Sequence, residues 1–89
     1  MPSVENPKII LYGNSWCSDC YRAKLILNKL KIEFNEIDIG ADHEGLEFVL
    51  QHNHGNASVP TIVFPDGSIL VEPSNKDLKA KLSDLVHNI

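Results

Sequence analysis

Two cysteines, Cys17 and Cys20, are the residues of this chain whose type and spacing most directly suggest chemistry. Two residues separate them in the stretch Ser15-Trp16-Cys17-Ser18-Asp19-Cys20, which suits a structural pair, half of a metal site or a reactive dithiol. A zinc site needs two further ligands, and nothing in the spacing brings a histidine to the cysteines; the chain's histidines are His43, His52, His54 and His87. The pattern therefore favours redox chemistry, in which a thiolate attacks a disulfide.

The position of Cys17 supports this interpretation, because it stands between a predicted strand and a predicted helix. Residues 8–12 are rich in apolar β-formers, as in a buried strand, and residues 13–15 form a turn. At the start of the following helix, unsatisfied N–H groups and the positive end of the helix dipole favour a thiolate over a thiol. Cys20, one turn later, is expected to lie deeper and to stay protonated. This asymmetry suits an attacking cysteine and a resolving one.

Two neighbours of the cysteines are expected to shape the site. Asp19 is favourably placed for the helix dipole, but its carboxylate would oppose formation of the Cys17 thiolate and so tune its ionisation. Trp16 is expected either to shield one side of the sulfur and shape a groove, or to pack against the end of the strand. The sequence leaves both roles of Trp16 open.

The first half of the chain predicts a strand, a helix, a second strand and a second helix. After the cysteines, apolar residues recur at helical spacing over residues 18–31. Phe34–Ile39 mixes apolar and acidic residues and is predicted to be a short strand. Asp42 is expected to cap a second helix, which ends near Gly55. The first strand-helix-strand unit predicts a parallel pair of strands with a right-handed crossover.

The second half predicts a hairpin followed by a helix. The turn Pro65-Asp66-Gly67 joins strands at residues 61–64 and 68–71. Ser74 is expected to cap the last helix, with Asp77 three residues on in the manner of a capping box. The order β-α-β-α-β-β-α predicts an α/β fold with a four-stranded mixed sheet and three flanking helices.

Chain length and composition limit the possible functions. With 89 residues, 43% of them hydrophobic, the chain is expected to form one domain over residues 8–89, preceded by a flexible tail at residues 1–7. A net charge of −4 argues against nucleic acid and anionic membranes as partners. No apolar run reaches the roughly 18 residues of a membrane span, and the first residues lack a secretion signal. We therefore expect a monomeric cytoplasmic protein.

Three blocks of sequence together resemble the glutaredoxins, within the thioredoxin superfamily. They are Tyr12 through Lys24 around the two cysteines, Ser58-Val59-Pro60-Thr61, and Asp66-Gly67-Ser68 with Pro73-Ser74-Asn75. The likeness runs along nearly the whole chain from Lys8 onward. It is closest to the mycoredoxin-like branch, in which a tryptophan precedes the first cysteine, as Trp16 does here.

The resemblance implies a set of roles for these blocks. Cys17 would be the nucleophile and Cys20 the resolving residue, and the Val59–Pro60 peptide bond would be cis and face the cysteines. The substrate-binding residues would be Tyr12, Trp16, Val59, Pro60, Ser74 and Asn75. Ser74 and Asn75 would hold a substrate carboxylate at the start of the last helix, although capping alone explains Ser74 equally well. Many glutaredoxins carry a lysine where this chain has Asn14.

The predicted function is that of a thiol-disulfide oxidoreductase without a bound cofactor. It would reduce disulfide-bearing proteins or mixed disulfides, with electrons from a reductase or from a low-molecular-weight thiol, glutathione or mycothiol. The sequence leaves open whether both cysteines or Cys17 alone carry the cycle. The alternatives are a module that holds a metal ion or an iron–sulfur cluster through the cysteine pair, and an adaptor that binds proteins without turnover.

Overall fold

The computed structural model describes residues 8–87 of the chain. The predicted tail at residues 1–7 lies outside this range. Within it, no helix combines the length and the apolar character needed to cross a membrane.

The chain forms seven elements in the predicted order. They are β1 (Ile9–Gly13), α1 (Ser18–Lys29), β2 (Phe34–Asp38), α2 (His43–His52), β3 (Thr61–Val63), β4 (Ile69–Val71) and α3 (Asn75–His87). Helix α1 ends two residues earlier than predicted, because Lys31 adopts a φ of 59° and turns the chain out of the helix. The β4 strand begins one residue later, because Ser68 is held in the turn by a bond from its N–H to Asp66 Oδ1.

The four strands form one mixed sheet in the order β2-β1-β3-β4, which confirms the predicted fold. The β1 and β2 strands run parallel, whereas β3 runs antiparallel to both β1 and β4. Because β1 is central, its C-terminal end at Gly13 is enclosed by neighbours on both sides. The chain leaves that end to form the cysteine turn.

Helices cover both faces of the sheet and place the starts of α1 and α3 on the same face. Apolar side chains of β1, β3, α1 and α3 form the larger core; its fully buried leucines and isoleucine are Leu11, Leu27, Ile62, Leu78 and Leu82. Burial of each such side chain contributes about 1.5–3 kcal/mol. The opposite face packs α2 through Val49 against Tyr12. The core thus fixes α1, and with it both cysteines, against the sheet and α3.

Glu72, just after β4, adopts a left-handed backbone conformation, which favours glycine. Its φ is 49°, and its N–H donates to the carbonyl oxygen of Pro60 at 2.8 Å. A side chain in this region costs about 1–2 kcal/mol. Because glycine loses more entropy on folding, we expect Glu72→Gly to raise the free energy of unfolding by a net ~0.5–1 kcal/mol in urea denaturation. Glu72→Ala keeps the Cβ and should give no such gain; an equal gain from both variants would assign the effect to the lost carboxylate.

Candidate active site

Cys17 occupies the N-cap position of α1, where its sulfur meets the backbone of two separate segments. Its φ and ψ are −92° and 110°, and its Sγ accepts a hydrogen bond from the Cys20 N–H at 3.0 Å. The thiol also points at the Val59 carbonyl oxygen, 3.6 Å away. A backbone N–H aimed at the sulfur and the start of a helix both favour negative charge there. The half-buried Cys17 is therefore placed to act as a nucleophile.

Cys20 lies beneath Cys17 and is sealed from solvent. Its side chain is fully buried between α1 and the end of β1. A Cβ at Gly13 would stand only 2.8 Å from the Cys20 sulfur, so glycine is required for this close approach. Burial, helped by the hydrogen bond with Cys17, raises the pKa of the Cys20 thiol to about 12. Cys20 is therefore a thiol at neutral pH and lies deeper than Cys17, as the sequence predicts.

The loop that carries Val59 is held in place by hydrogen bonds of Thr61. The Val59–Pro60 peptide bond is cis, as the sequence resemblance implies. The buried Thr61 hydroxyl donates to the Ser58 carbonyl oxygen at 2.7 Å and accepts a bond from Asn53 Nδ2 at 3.2 Å. These contacts hold the Val59 carbonyl oxygen opposite Cys17.

Trp16 projects into solvent beside the reactive cysteine. Its side chain is 92% exposed, so the alternative in which it packs against the strand end is wrong. It borders a groove of about 500 Å³, lined by Asn14, Ser15, Trp16, Asp38, Ile39, Gly40, Ala41 and Leu46. The Trp16 ring is therefore available to a molecule that approaches the Cys17 sulfur from this side.

Asp19 lies in an ion pair that joins the cysteine turn to α3. Arg22 Nη2 donates to Asp19 Oδ1, and Arg22 Nη1 donates to Asn75 Oδ1 at 3.0 Å. The Asp19 charge is not isolated in the structure, because the Arg22 guanidinium group balances it. Its predicted influence on the Cys17 thiolate stays a prediction, and the balancing cation works against it.

The comparison with family models decides which family these features belong to. The glutaredoxin family model matches residues 9–69, a span that holds both cysteines and the cis-proline loop. The chain belongs to the glutaredoxin family. The mixed sheet, the cysteine at the start of α1 and the cis proline facing it are thus parts of a glutaredoxin.

Individual relatives of this glutaredoxin cover most of its length. A glutaredoxin-like protein of Mycobacterium tuberculosis is 43% identical over 74 residues, which cover 83% of this chain and 88% of the relative. Mycoredoxin 1 of Corynebacterium glutamicum is 31% identical over 77 residues, covering 86% of this chain and 95% of the relative. The crystal structure of a glutaredoxin from Archaeoglobus fulgidus matches with a TM-score of 0.68 at 26% identity, over 82% of this chain and 83% of that one. The predicted mycoredoxin-like relationship is confirmed.

The remaining predicted substrate-binding residues of the glutaredoxin fall into two groups. Ser74 and Asn75 lie at the start of α3: Ser74 Oγ caps the helix by accepting the Asp77 N–H at 3.0 Å, and Asn75 accepts a hydrogen bond from Arg22, which also contacts Asp19. Tyr12 is 9% exposed and stacks on Phe48, with 4.8 Å between ring centroids. Val59 packs against the same apolar cluster as Tyr12, and the part of Tyr12 in substrate binding stays a prediction.

Two residues outside the predicted site, Arg22 and Asn53, also support it. The three-residue spacing of Asp19 and Arg22 on a helix predicts their ion pair. No local pattern predicts the contacts of Arg22 with Asn75 or of Asn53 with Thr61, because they join separate elements. Over residues 8–87, no group of three or more His, Cys, Asp or Glu side chains could hold a metal ion, so the structure adds no third ligand to the cysteine pair.

The exposure of Trp16 predicts that its role in activity can be separated from any role in stability. Trp16→Ala should change the free energy of unfolding by less than about 0.5 kcal/mol. It should slow the reduction of bulky mixed disulfides about threefold to tenfold, because aromatic contacts contribute about 0.5–1.5 kcal/mol. Leu25→Ala removes another exposed apolar side chain from α1 and is the matched control. Equal losses of kcat/KM in both variants would contradict a specific role for Trp16.

Proposed function

We propose that this glutaredoxin is a thiol-disulfide oxidoreductase that reduces mixed disulfides and protein disulfides through Cys17 and Cys20. The observation that carries the proposal is the asymmetry of the two sulfurs. Cys17 Sγ receives a backbone N–H at the start of α1, while Cys20 is buried with its pKa raised to about 12. The positions of the two cysteines therefore make Cys17 the nucleophile in the free protein.

The reaction follows from this geometry in two exchanges. The Cys17 thiolate attacks one sulfur of the substrate disulfide, whose other sulfur leaves as a thiolate and takes up a proton. Cys20 then gives up its proton and attacks Cys17 Sγ, which releases the second substrate sulfur as a thiol. The substrate gains two electrons, and the protein is left with a Cys17–Cys20 disulfide. Two molecules of a low-molecular-weight thiol, or a reductase, return it to the dithiol.

The cis-proline loop and Trp16 suit the binding of an extended thiol compound. The Val59 backbone faces Cys17, so a substrate chain lying beside it pairs with the loop as a short strand. Trp16 is next to Cys17 in the chain and borders the groove, so its exposed ring is available to the same compound. We infer mycothiol as the favoured electron donor, on the likeness to mycoredoxin 1, with glutathione as the alternative.

A coupled assay of NADPH oxidation tests the proposed function. A mixed-disulfide substrate is supplied with one of three electron sources: glutathione with its reductase, mycothiol with its reductase, or thioredoxin reductase alone. We expect turnover with a low-molecular-weight thiol, fastest with mycothiol. Absence of turnover with all three sources, in protein whose two thiols titrate as reduced, would overturn the proposal.

A further inference from the structure

Arg22 is the residue through which the cysteine turn contacts the start of α3. One nitrogen of its guanidinium donates to Asp19, between the two cysteines, and another donates to Asn75, the first residue of α3. Asn75 is 53 residues from Arg22 in the chain, whereas Asp19 is three residues away. An arginine has five N–H donors, so two contacts leave others for a third partner.

The pair is partly open to solvent and differs from the other ion pairs of the described residues in its position at the cysteine turn. The Arg22 and Asp19 side chains are 42% and 46% exposed, so their attraction contributes little to folding and exchanges readily. The other ion pairs found over residues 8–87 are Lys8–Glu33, Lys24–Glu36, His43–Glu47 and Lys81–Asp66. None of these four includes a residue of the cysteine turn. Of these ion pairs, Asp19–Arg22 is therefore the one that a substrate bound to Cys17 is placed to disturb.

We propose that Arg22 is a specificity-determining residue. Asp19 competes with carboxylates of the substrate for its guanidinium group. A carboxylate on the group joined to Cys17 has two options at this border of α1 and α3. It displaces Asp19 from Arg22, or it lies beside the Asp19 charge without a cation of its own. Both disfavour anionic disulfides relative to neutral ones. The inference rests on the proposed function, and it assigns to that function a substrate class in which the group next to the sulfur is uncharged.

Two activated aromatic disulfides, one anionic and one neutral, provide the test. Reduced protein reacts with 5,5′-dithiobis(2-nitrobenzoate), which carries carboxylates, and with 4,4′-dithiodipyridine, which is neutral at pH 7.5, and the released thiol is followed by its absorbance. The ratio of the two rate constants removes any change in the ionisation of Cys17, because both reactions need the same thiolate. Reaction with these activated disulfides does not require enzymatic turnover. The predicted change in ratio can therefore be absent while NADPH-coupled turnover is present, or present while turnover is absent, so the two proposals are tested separately.

The expected changes in the anionic-to-neutral ratio have opposite signs in the two single variants. Asp19→Asn should raise it about threefold to tenfold, because Arg22 becomes free for the reagent carboxylate. Arg22→Gln should lower it by a similar factor. In the Arg22→Gln background, Asp19→Asn should raise the ratio by less than it does in wild type, because only direct repulsion is relieved and no cation is released to the reagent. Lys79→Gln, which removes an equal charge from an exposed position one turn along α3, should leave the ratio unchanged.

A gain from Asp19→Asn that is the same with and without Arg22 would overturn the inference, since Asp19 would then act by direct repulsion alone. An unchanged ratio in Arg22→Gln would overturn it as well. Far-ultraviolet circular dichroism and urea midpoints establish that each variant is folded. Asp19→Asn keeps the size of the side chain, and Arg22→Gln shortens a partly exposed one, so packing changes little in either variant.

Discussion

Replacement of Cys17 by serine is expected to abolish disulfide reduction, with a loss of at least about 10³-fold in kcat/KM. The reason is that the thiolate is the attacking group, and Cys20 cannot substitute for it. Burial and the hydrogen bond with Cys17 raise the pKa of Cys20 to about 12, and its sulfur has no exposed surface. The measurement is the NADPH-coupled assay with a mixed-disulfide substrate, run beside wild-type protein.

Cys20→Ser separates the two routes that the sequence leaves open. The first attack by Cys17 remains, so a mixed disulfide between Cys17 and the substrate should form and be seen as an added mass. If a low-molecular-weight thiol resolves this adduct, turnover should stay within about tenfold of wild type. Protein disulfides, whose adduct Cys20 resolves, should instead stall as the trapped complex. Activity that survives Cys17→Ser but not Cys20→Ser would contradict the assignment of roles.

The second large expected effect follows from the contact between Gly13 and Cys20. A Cβ built at Gly13 would lie 2.8 Å from Cys20 Sγ and 3.2 Å from Leu11 Cδ2, and both of these side chains are fully buried. Because neither can move without disturbing the core, we expect Gly13→Ala to lower the free energy of unfolding by about 1–3 kcal/mol. Urea denaturation measures this change.

A double variant shows whether the sulfur is the cause of the clash. In a Cys20→Ala background the nearest atom is removed, so Gly13→Ala should cost less than half of what it costs in wild type. Equal costs in the two backgrounds would show that the strand end, rather than the cysteine, rejects the methyl group. A smaller cost in the double variant would establish that the end of β1 is shaped to admit the resolving thiol.

The parts of this structure that are predictable from sequence depend on local patterns. Helical spacing of Ala23 and Leu27 places Cys20 on the buried side of α1, and the turn residues at Pro65 to Gly67 predict the hairpin. The asymmetry of the cysteines follows from the same patterns, because one cysteine stands at a helix start and the other faces the core. The cis bond at Val59–Pro60 is different: it comes from family resemblance, since proline alone only makes a cis bond possible.

The parts that sequence does not predict are contacts between separate elements. Arg22 lies on α1, and nothing near it in the chain indicates that its guanidinium group contacts Asn75 of α3. The ion pair of Asp19 with Arg22 is local by contrast, because their three-residue spacing on α1 predicts it. Tyr12 is a further example of an unpredicted contact, because it belongs to a family sequence block that does not indicate the stacking of its ring on Phe48.

The most direct test of the central claim is selective alkylation of the reduced protein at pH 7. Trypsin leaves both cysteines in the peptide of residues 9–22, so fragment ions formed between them in tandem mass spectrometry locate the label. With a pKa of about 12, only about one Cys20 in 10⁵ is ionised at this pH. Limiting iodoacetamide should therefore label Cys17 and leave Cys20 unmodified. Label on Cys20 equal to or greater than that on Cys17 would contradict the account.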